Sequence, residues 1–292
     1  MSNSKVTIDK ILEKKSSRHH YIPQFLINGF TDDKGLLHIY DKQADKILTK
    51  QRPSKSIFFD IDRNTVEIKE NLKSSVIEDY LYSEIDNKTS KVIKSYQTEE
   101  LSKIDFQIED TGTLLFFLIS LFWRIPKTDH AAEDLMERSI ITANGVDPEI
   151  FRNDPTYRKL NRAGLFKHHI DEMIKFGMKG KKWSNIHQNE DPIYVIGDFP
   201  FLSRVQSNEF SKFNDTDILF AVNSRRIYSS TNESMKNFTP RNSYSYNAAI
   251  IHQSVKYIAC GDIQVLQQSI KFYKELKSLG LIYTNEHVYK TN

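Results

Sequence analysis

The ten-residue segment LLFFLISLFW at 114–123 constrains the fold more than any other part of the sequence. A helix that is apolar on almost every face has to be surrounded by other elements. The run is far shorter than the roughly 20 residues that a membrane-spanning helix needs. It therefore predicts a helix over about 107–124 that is buried at the centre of a helical bundle and is stopped by Pro126.

Composition supports a packed protein around this helix. The 292 residues include 18 Phe and 14 Tyr, which are enough to form a large core. The only cysteine, Cys260, excludes an intramolecular disulfide and a zinc site made of cysteines, and it suits a reducing compartment. The first 20 residues contain no apolar stretch typical of a signal peptide. We expect a cytoplasmic protein with no membrane partner.

Patterns of apolar residues predict the other elements. Alternation in LLHIYDK and DKILTK predicts an N-terminal β-hairpin with its turn at 42–45, followed by a short strand at 56–59. Helical spacing predicts further helices over about 74–97, 129–143, 155–178, 245–259 and 262–279. Short β-branched or aromatic runs predict strands at 192–196, 217–222 and 226–229.

This order of elements predicts an α+β fold. It consists of the N-terminal β-hairpin, a central and mostly α-helical bundle, a second small antiparallel sheet and C-terminal helices. Residues 1–17 are expected to be a flexible segment, and 18–292 to form one composite domain.

The charges are nearly balanced overall but unevenly distributed. The chain has 41 Lys and Arg against 38 Asp and Glu, whereas 152–182 has 9 basic and 3 acidic residues. Aromatic residues lie between the basic ones, as on surfaces that bind nucleic-acid phosphates. The same pattern is typical of the solvated side of an amphipathic helix. The candidate nucleic-acid-binding residues are Arg158, Lys159, Arg162, Lys167, Lys175, Lys179, Lys181 and Lys182.

Motifs of the common nucleotide-dependent and hydrolytic enzymes are missing from the sequence. It has no GxGxxG, P-loop, HExxH or GxSxG pattern, which argues against Rossmann dehydrogenases, P-loop NTPases, zincins and common serine hydrolases. The segment RHHYIPQFLINGF at 18–30 places His19 and His20 side by side. Histidine can ligate a metal or transfer a proton near neutral pH. Alternatively, the two residues cap and line the first structured segment.

A helix over 74–97 brings a carboxylate to an apolar face. At about 100° per residue, Glu84 lies within the apolar stripe that begins at Ile77, and Glu78 lies at its margin. A carboxylate that faces a core has to be paired, protonated or bound to a cation. Glu84 therefore either forms an ion pair with Arg124, or binds a divalent cation with Glu78 and a histidine while Arg124 holds a phosphate.

Two polar residues in the second half of the chain are further candidates. Asp198 follows the apolar segment PIYVI, and strand ends commonly present functional side chains. An aspartate before X-Pro is also ordinary turn chemistry. Asn247, near the start of a late helix, is expected either to cap that helix or to make a polar contact with the same site.

The opening HHYIPQFLINGF, followed by LLHIYDKQADKI, resembles the bacterial domain-of-unknown-function 4238 family (DUF4238). Later segments fit that family in the expected order: the acidic helix with Glu78 and Glu84, then FWRIP, IGDFPF and YNAAIIHQSVKYI. The resemblance spans about residues 18–260. It departs at 197–200, where Gly-Asp-Phe-Pro replaces a turn like Ser-Asp-Asn-Pro and so removes two polar side chains. The family implies no activity, so the resemblance bears on the architecture and the candidate residues only.

Two functional hypotheses follow from these residues. In the first, the chain is a metal-assisted phosphodiesterase, a nuclease-like bacterial effector in which Mg²⁺ or Mn²⁺ activates water. Its metal ligands are Glu78, Glu84 and Asp198, and its catalytic residues are His19, His20 and Arg124. In the second, the chain is a non-catalytic module that binds nucleic acid or protein, or a subunit of a defence or toxin system. Catalysis requires the candidate residues to converge in one accessible pocket, whereas a binding module does not.

Overall fold

The computed structural model describes residues 18–69, 72–104, 106, 108–138, 148–176, 183–203, 217–231 and 240–281, so the segment 1–17 lies outside the described residues. The strands are β1 (Arg18–His20), β2 (Leu36–Asp41), β3 (Lys46–Ile47), β4 (Arg52–Pro53), β5 (Phe59–Ile61), β6 (Val66–Lys69), β7 (Leu72–Ser74), β8 (Trp183–Gln188), β9 (Ile196–Gly197), β10 (Phe201–Ser203), β11 (Ile218–Ala221), β12 (Arg226–Thr231) and β13 (Tyr257–Cys260). The helices are α1 (Gln24–Ile27), α2 (Ser83–Thr98), α3 (Ile108–Arg124), α4 (Asp129–Arg138), α5 (Pro148–Asn153), α6 (Pro155–Phe176), α7 (Pro240–Gln253) and α8 (Ile263–Ser278). A π-helical segment, Ile77–Tyr82, leads into α2.

Helix α3 is the buried centre that the apolar run predicts. Within 114–125, every residue except Phe116 is buried. The ring of Phe117 lies 5.6 Å from that of Phe25 and 6.3 Å from that of Phe220, so α3 contacts both the N-terminal segment and β11. Each such fully buried side chain stabilises the fold by about 1.5–3 kcal/mol relative to exposure. No helix in the described part of the chain has both the length and the hydrophobicity needed to cross a bilayer.

A five-stranded antiparallel sheet joins the N-terminal hairpin to the C-terminal part of the chain. Its order is β3–β2–β13–β9, and β4 pairs with the beginning of β2. The pair β2–β3 confirms the predicted hairpin. In the middle of the sheet, β13 places Cys260 opposite His38. The predicted helix over 245–259 is therefore wrong beyond Gln253, because the backbone of β13 forms hydrogen bonds with a strand on each side.

A second antiparallel sheet has the order β10–β11–β12–β8, and its aromatic side chains contact those of α2 and α3. On β12, Tyr228 stacks on Tyr96 of α2 with ring centroids 6.0 Å apart. This sheet confirms the predicted second sheet, and the described chain has the predicted α+β fold. Strands β8 and β10 were not predicted, because β8 is mostly polar and β10 is only three residues long. The strand predicted at 192–196 is reduced to β9.

Several helix boundaries differ from the predicted ones. Helix α4 is described only to Arg138, since 139–147 lies outside the described residues. Helix α6 covers most of the predicted 155–178, and the short α5 before it was not predicted. The strand predicted at 56–59 is replaced by a 3₁₀ turn at Ser54–Ser56 and by β5.

Two glycines give opposite predictions for replacement by alanine. Gly261 connects β13 to α8, and a β-carbon there would lie 2.3 Å from the backbone nitrogen of Asp32. Gly261→Ala is expected to lower the free energy of unfolding by about 1–3 kcal/mol, because two backbone segments have to separate. Gly164 is exposed in α6 with open space around its missing β-carbon. Gly164→Ala is expected to raise the free energy of unfolding by about 0.5–1 kcal/mol.

Urea denaturation of both variants measures whether each substitution lowers or raises the free energy of unfolding. A Gly261→Ala variant as stable as the unmodified chain would contradict the close approach of the two segments.

Candidate functional site

The turn between β5 and β6 is where the N-terminal candidate residues meet. Asp62 adopts a left-handed backbone with φ of 52°, which aspartate tolerates better than most residues. The next two residues are directed inward: the Arg63 side chain is 7% exposed and Asn64 is fully buried. The backbone N–H of Asn64 donates to Nδ1 of His19 at 2.9 Å, which ties the turn to β1.

Arg124, the last residue of α3, is buried beneath this turn and is only 1% exposed. Its Nη1 and Nη2 donate to the two carboxylate oxygens of Asp86 at 2.7 and 3.1 Å, and Nη2 also donates to the carbonyl of His20 at 3.1 Å. The guanidinium lies 4.6 Å from the ring centroid of Tyr82, and Glu78 Oε1 is 3.9 Å away. Burial alone would lower the pKa of Arg124, but the Asp86 carboxylate more than offsets it, so the pKa is raised.

Glu84 does not take part in this ion pair, so the predicted pairing of Glu84 with Arg124 is wrong. Its side chain is 68% exposed and accepts a hydrogen bond from Lys88 at 2.9 Å. The π-helical segment before α2 has a wider turn than an α-helix, which rotates the buried face by about one residue, roughly 100°. The rotation turns Asp86 toward Arg124 and turns Glu84 toward solvent.

Arg63 and Arg162 hold a second carboxylate, that of Asp129 at the start of α4. Arg63 donates to it from Nη1 and Nη2 at 3.1 and 2.8 Å, and Arg162 donates from Nη1 at 3.1 Å. The Nε of Arg63 also donates to the carbonyl of Arg124 at 2.6 Å. The three arginines thus form one cluster, which we call the arginine cluster: Arg63, Arg124 and Arg162.

Asn64 connects the two ends of the arginine cluster. Its Oδ1 accepts from Nη2 of Arg162 at 2.7 Å, and its Nδ2 donates to Oε2 of Glu78 at 2.7 Å. Glu78, predicted as a metal ligand, thus lies beside Arg124 and accepts a hydrogen bond from Asn64.

The two histidines lie at the edge of the arginine cluster with different surroundings. His19 is buried, and its Nδ1 accepts the hydrogen bond from Asn64. His20 is partly buried beside Phe59, with ring centroids 5.6 Å apart. Burial lowers the pKa of His20 below 6.5, and a hydrogen bond to the Lys55 backbone and the Glu78 charge only partly oppose this. Burial therefore favours the neutral form of the His20 imidazole.

Outside the arginine cluster lies a cleft of about 370 Å³ between the 60–63 turn, α4 and α6. We call it the outer cleft. Its lining combines cations with carboxylates: Arg63, Arg158, Lys159, Arg162, Asp60, Asp62, Asp129 and Glu133. Lys159 Nζ donates to the carbonyls of Asp62 and Thr65 at 2.9 and 2.7 Å. Burial lowers the pKa of Lys159, as does the nearby Arg162 charge.

The basic block predicted to bind nucleic acid divides between two faces of α6. Arg158, Lys159 and Arg162 face the outer cleft. At about 100° per residue, Lys167 lies about 140° round the helix from Arg162 and about 80° from Lys159. It pairs with Asp171 at 2.5 Å and lines a different cleft, which it shares with Glu84. The side chain of Lys175 is not described, and Lys179, Lys181 and Lys182 lie outside the described residues.

Asp198 and Asn247 form hydrogen bonds with backbone groups and do not belong to the candidate site. Asp198 accepts hydrogen bonds from the N–H groups of residues 255, 256 and 257 at 2.8, 2.6 and 3.2 Å, which fixes the entry to β13. Asn247 accepts from the N–H of Val195 at 3.2 Å and donates to the carbonyl of Ile193 at 2.7 Å. Asn247 lies within α7, so the capping alternative is also wrong.

The predicted metal-ligand set is therefore not assembled. Glu84 is on the surface, Asp198 is saturated by backbone donors, and Glu78 is engaged by Asn64 and Arg124. Among the described residues, no group of three or more His, Cys, Asp or Glu is arranged to hold a metal ion.

Sequence reasoning missed several residues of the site, namely Arg63, Asn64, Tyr82, Asp86 and Asp129. The polar stretch DIDRN at 60–64 indicates a turn but not which side chains enter the core. At about 100° per residue from Ile77, Asp86 falls on the outer face of the helix, and a π-helical segment leaves no clear mark in a sequence that would correct this. Asp129 follows the stop at Pro126, where an acidic residue has an ordinary role at a helix start.

Substitution of the two neighbouring carboxylates on α2 separates the predicted ion pair from the observed one. Asp86→Asn leaves a buried guanidinium without its charged partner, so we expect the free energy of unfolding to fall by about 3–5 kcal/mol. Glu84→Gln removes an exposed pair and is expected to change it by less than about 1 kcal/mol. Chemical denaturation at pH 7 measures both values. Equal effects of the two substitutions would contradict the rotation of the buried face.

Comparison with known proteins bears on family membership only. Comparisons with curated proteins and with solved structures gave no match. Residues 18–262 match the family described as "Protein of unknown function (DUF4238)". The matched region includes the arginine cluster, the outer cleft and both sheets. Because the match covers most of the chain, this protein belongs to the DUF4238 family.

Proposed function

We propose that this protein binds the phosphate backbone of a single-stranded nucleic acid in the outer cleft. The observation that supports this function best is the placement of Arg158, Lys159 and Arg162 on one face of α6, next to Arg63. Lysine and arginine side chains that share one groove are the usual partners of nucleic-acid phosphates.

Hydrogen-bond donors remain available in this cleft. Arg162 Nε–H is buried and has no acceptor among the described residues. Lys159 Nζ uses two of its three N–H groups on backbone carbonyls, which leaves one for a ligand. The Arg158 side chain is 46% exposed, and its Nη1 lies 3.1 Å from Glu133 at the rim. A phosphate oxygen can accept from the first two of these groups, and Arg158 adds positive charge at the rim.

The size and the charge balance of the outer cleft restrict the kind of ligand that can bind there. A volume of about 370 Å³ is at the lower end of pockets that hold a small ligand, so it suits one or two nucleotides of an extended strand better than a duplex. Four carboxylates offset the four cations of the lining. Binding therefore depends on directed donors more than on net charge, and we expect a weak dependence on salt.

The prediction is that Arg158→Gln and Lys159→Gln each weaken binding of a labelled single-stranded oligonucleotide by about threefold to tenfold. The slope of log K against log salt for the unmodified chain should be about −1.4, since each neutralised phosphate of a single strand contributes about −0.7. Fluorescence anisotropy at several KCl concentrations measures both quantities.

Lys167→Gln is the matched control, because it removes the same charge from the same helix at a residue that lines a different cleft. Equal losses for Lys167→Gln and Lys159→Gln would show that the outer cleft is not the binding site. No binding by the unmodified chain would overturn the proposal.

Metal-assisted hydrolysis of the bound phosphodiester is the second candidate function. One observation favours it: the carboxylates of Asp60 and Asp62 line the same cleft as the basic donors, and Asp60 Oδ2 lies 3.5 Å from Arg63 Nη1. Mg²⁺ is commonly held by one or two carboxylates, water and the substrate phosphate, without a full set of protein ligands. Such a cation would lower the pKa of its bound water and neutralise charge in the transition state. A place in a defence or toxin system stays a prediction.

This candidate predicts Mn²⁺-dependent cleavage of the oligonucleotide that Asp60→Asn reduces at least about tenfold. The measurement is product formation on a denaturing gel with and without Mn²⁺. Glu84→Gln is the control, since it neutralises an exposed carboxylate that lines a different cleft. Binding without cleavage, or cleavage at an unchanged rate in Asp60→Asn, would reject catalysis and leave the binding function.

A further inference from the structure

Asp129 occupies its arginine partners in the way that an anionic ligand would. Its two carboxylate oxygens receive three N–H groups from two guanidiniums, at 3.1, 2.8 and 3.1 Å. The side chains of Arg63 and Arg162 are 7% and 9% exposed, whereas that of Asp129 is 38% exposed. The carboxylate therefore lies on the cleft side of two buried guanidiniums. Planar guanidiniums suit carboxylate and phosphate oxygens equally well.

We propose that Arg63 and Arg162 form a seat for a terminal phosphate monoester, and that Asp129 is a built-in competitor which the ligand displaces. This inference rests on the proposed nucleic-acid-binding function and names the group that is recognised, the phosphorylated end of a strand. A phosphodiester has about the same single negative charge as Asp129, so it gains little by replacing a carboxylate that is already attached to the chain. A monoester has a charge of about −1.5 to −2 at pH 7 and three terminal oxygens, so it competes better.

A hydrogen-bond donor of Arg162 that has no acceptor in the described part of the chain supports the seat independently. Arg162 is buried and lines the outer cleft, and its Nε–H has no hydrogen-bond acceptor in the described part of the chain. Buried polar groups without a partner are uncommon and call for an explanation such as a missing ligand. Both oxygens of Asp129 are already engaged. The third terminal oxygen of a phosphate monoester supplies an additional acceptor at the same guanidinium.

Neutralisation of Asp129 tests the seat. We expect Asp129→Asn to bind a 5′-phosphorylated single-stranded oligonucleotide about tenfold more tightly than the unmodified chain, because the competitor is weakened. Glu133→Gln is the matched control. Glu133 lies one helical turn further along α4, lines the same cleft and pairs with Arg158 instead of the seat. Its substitution removes the same charge and should improve binding only about twofold, through the general field.

Two further measurements test whether the terminal phosphate is the group that is recognised. The 5′-hydroxyl form of the oligonucleotide should show no gain of more than about twofold with Asp129→Asn. Inorganic phosphate should raise the melting temperature of Asp129→Asn more than that of the unmodified chain or of Glu133→Gln at matched ionic strength. If Asp129→Asn does not fold, Asp129→Ser, which keeps a side chain suited to a helix start, replaces it.

The binding results bear separately on the phosphate seat and on the proposed function. A gain that is specific to Asp129→Asn and to the phosphorylated strand supports the seat. Equal gains for Asp129→Asn and Glu133→Gln, or equal gains for phosphorylated and hydroxyl strands, overturn it and leave the proposed function in place. Looser binding by Asp129→Asn together with a lower melting temperature shows that Asp129 is structural only. Absence of binding by every variant overturns both the seat and the proposed function.

Discussion

The burial of the three guanidinium groups of the arginine cluster is the constraint on which the N-terminal and central elements of the structure depend. Removing a charged group from water costs several kcal/mol, and an unpaired buried charge is rarely tolerated. Arg124 is at the end of the most buried helix, so a carboxylate and backbone carbonyls have to reach it there. The π-helical segment, the left-handed turn at Asp62 and the start of α4 all bring such partners inward. The arginine cluster thereby joins β1, the 60–65 turn, α2, α3, α4 and α6.

The same arrangement explains how one set of residues can stabilise the fold and offer a binding site. Arg63 and Arg162 donate hydrogen bonds to backbone carbonyls, and Arg162 also donates to Asn64. These bonds orient both guanidiniums before a ligand binds. The exposed fraction increases from the guanidiniums to Asp129 and then to the rim, where Arg158 lies. A site organised in this way loses little side-chain entropy on binding, which favours affinity from few contacts. The cost is competition from the carboxylates that hold the arginines in place.

The second half of the chain shows why polar residues near strand ends are poor evidence for catalysis. Asp198 has the position expected of a functional carboxylate, yet three backbone N–H groups at the entry to β13 take up its oxygens. Asn247 likewise satisfies the backbone at 193–195 from within α7. Asp198 and Asn247 are themselves buried, and a buried polar side chain needs hydrogen-bond partners whether or not it belongs to an active site. Only the three-dimensional neighbours of such a residue distinguish the two uses.

The sequence by itself determined the buried helix at 114–123, the N-terminal hairpin, the second sheet and the α+β class, because these depend on local hydrophobic periodicity and length. It also singled out Arg124 and the basic face of α6. The tertiary structure decided the partners: Asp86 instead of Glu84, the strand at 257–260 instead of a helix, and Asp129 between two arginines. A π-helical segment rotates every later side chain, and a central strand is stabilised by neighbours more than 200 residues away in sequence. Neither effect is encoded in a local pattern, since both arise from the demand that buried charges and buried backbone groups be paired.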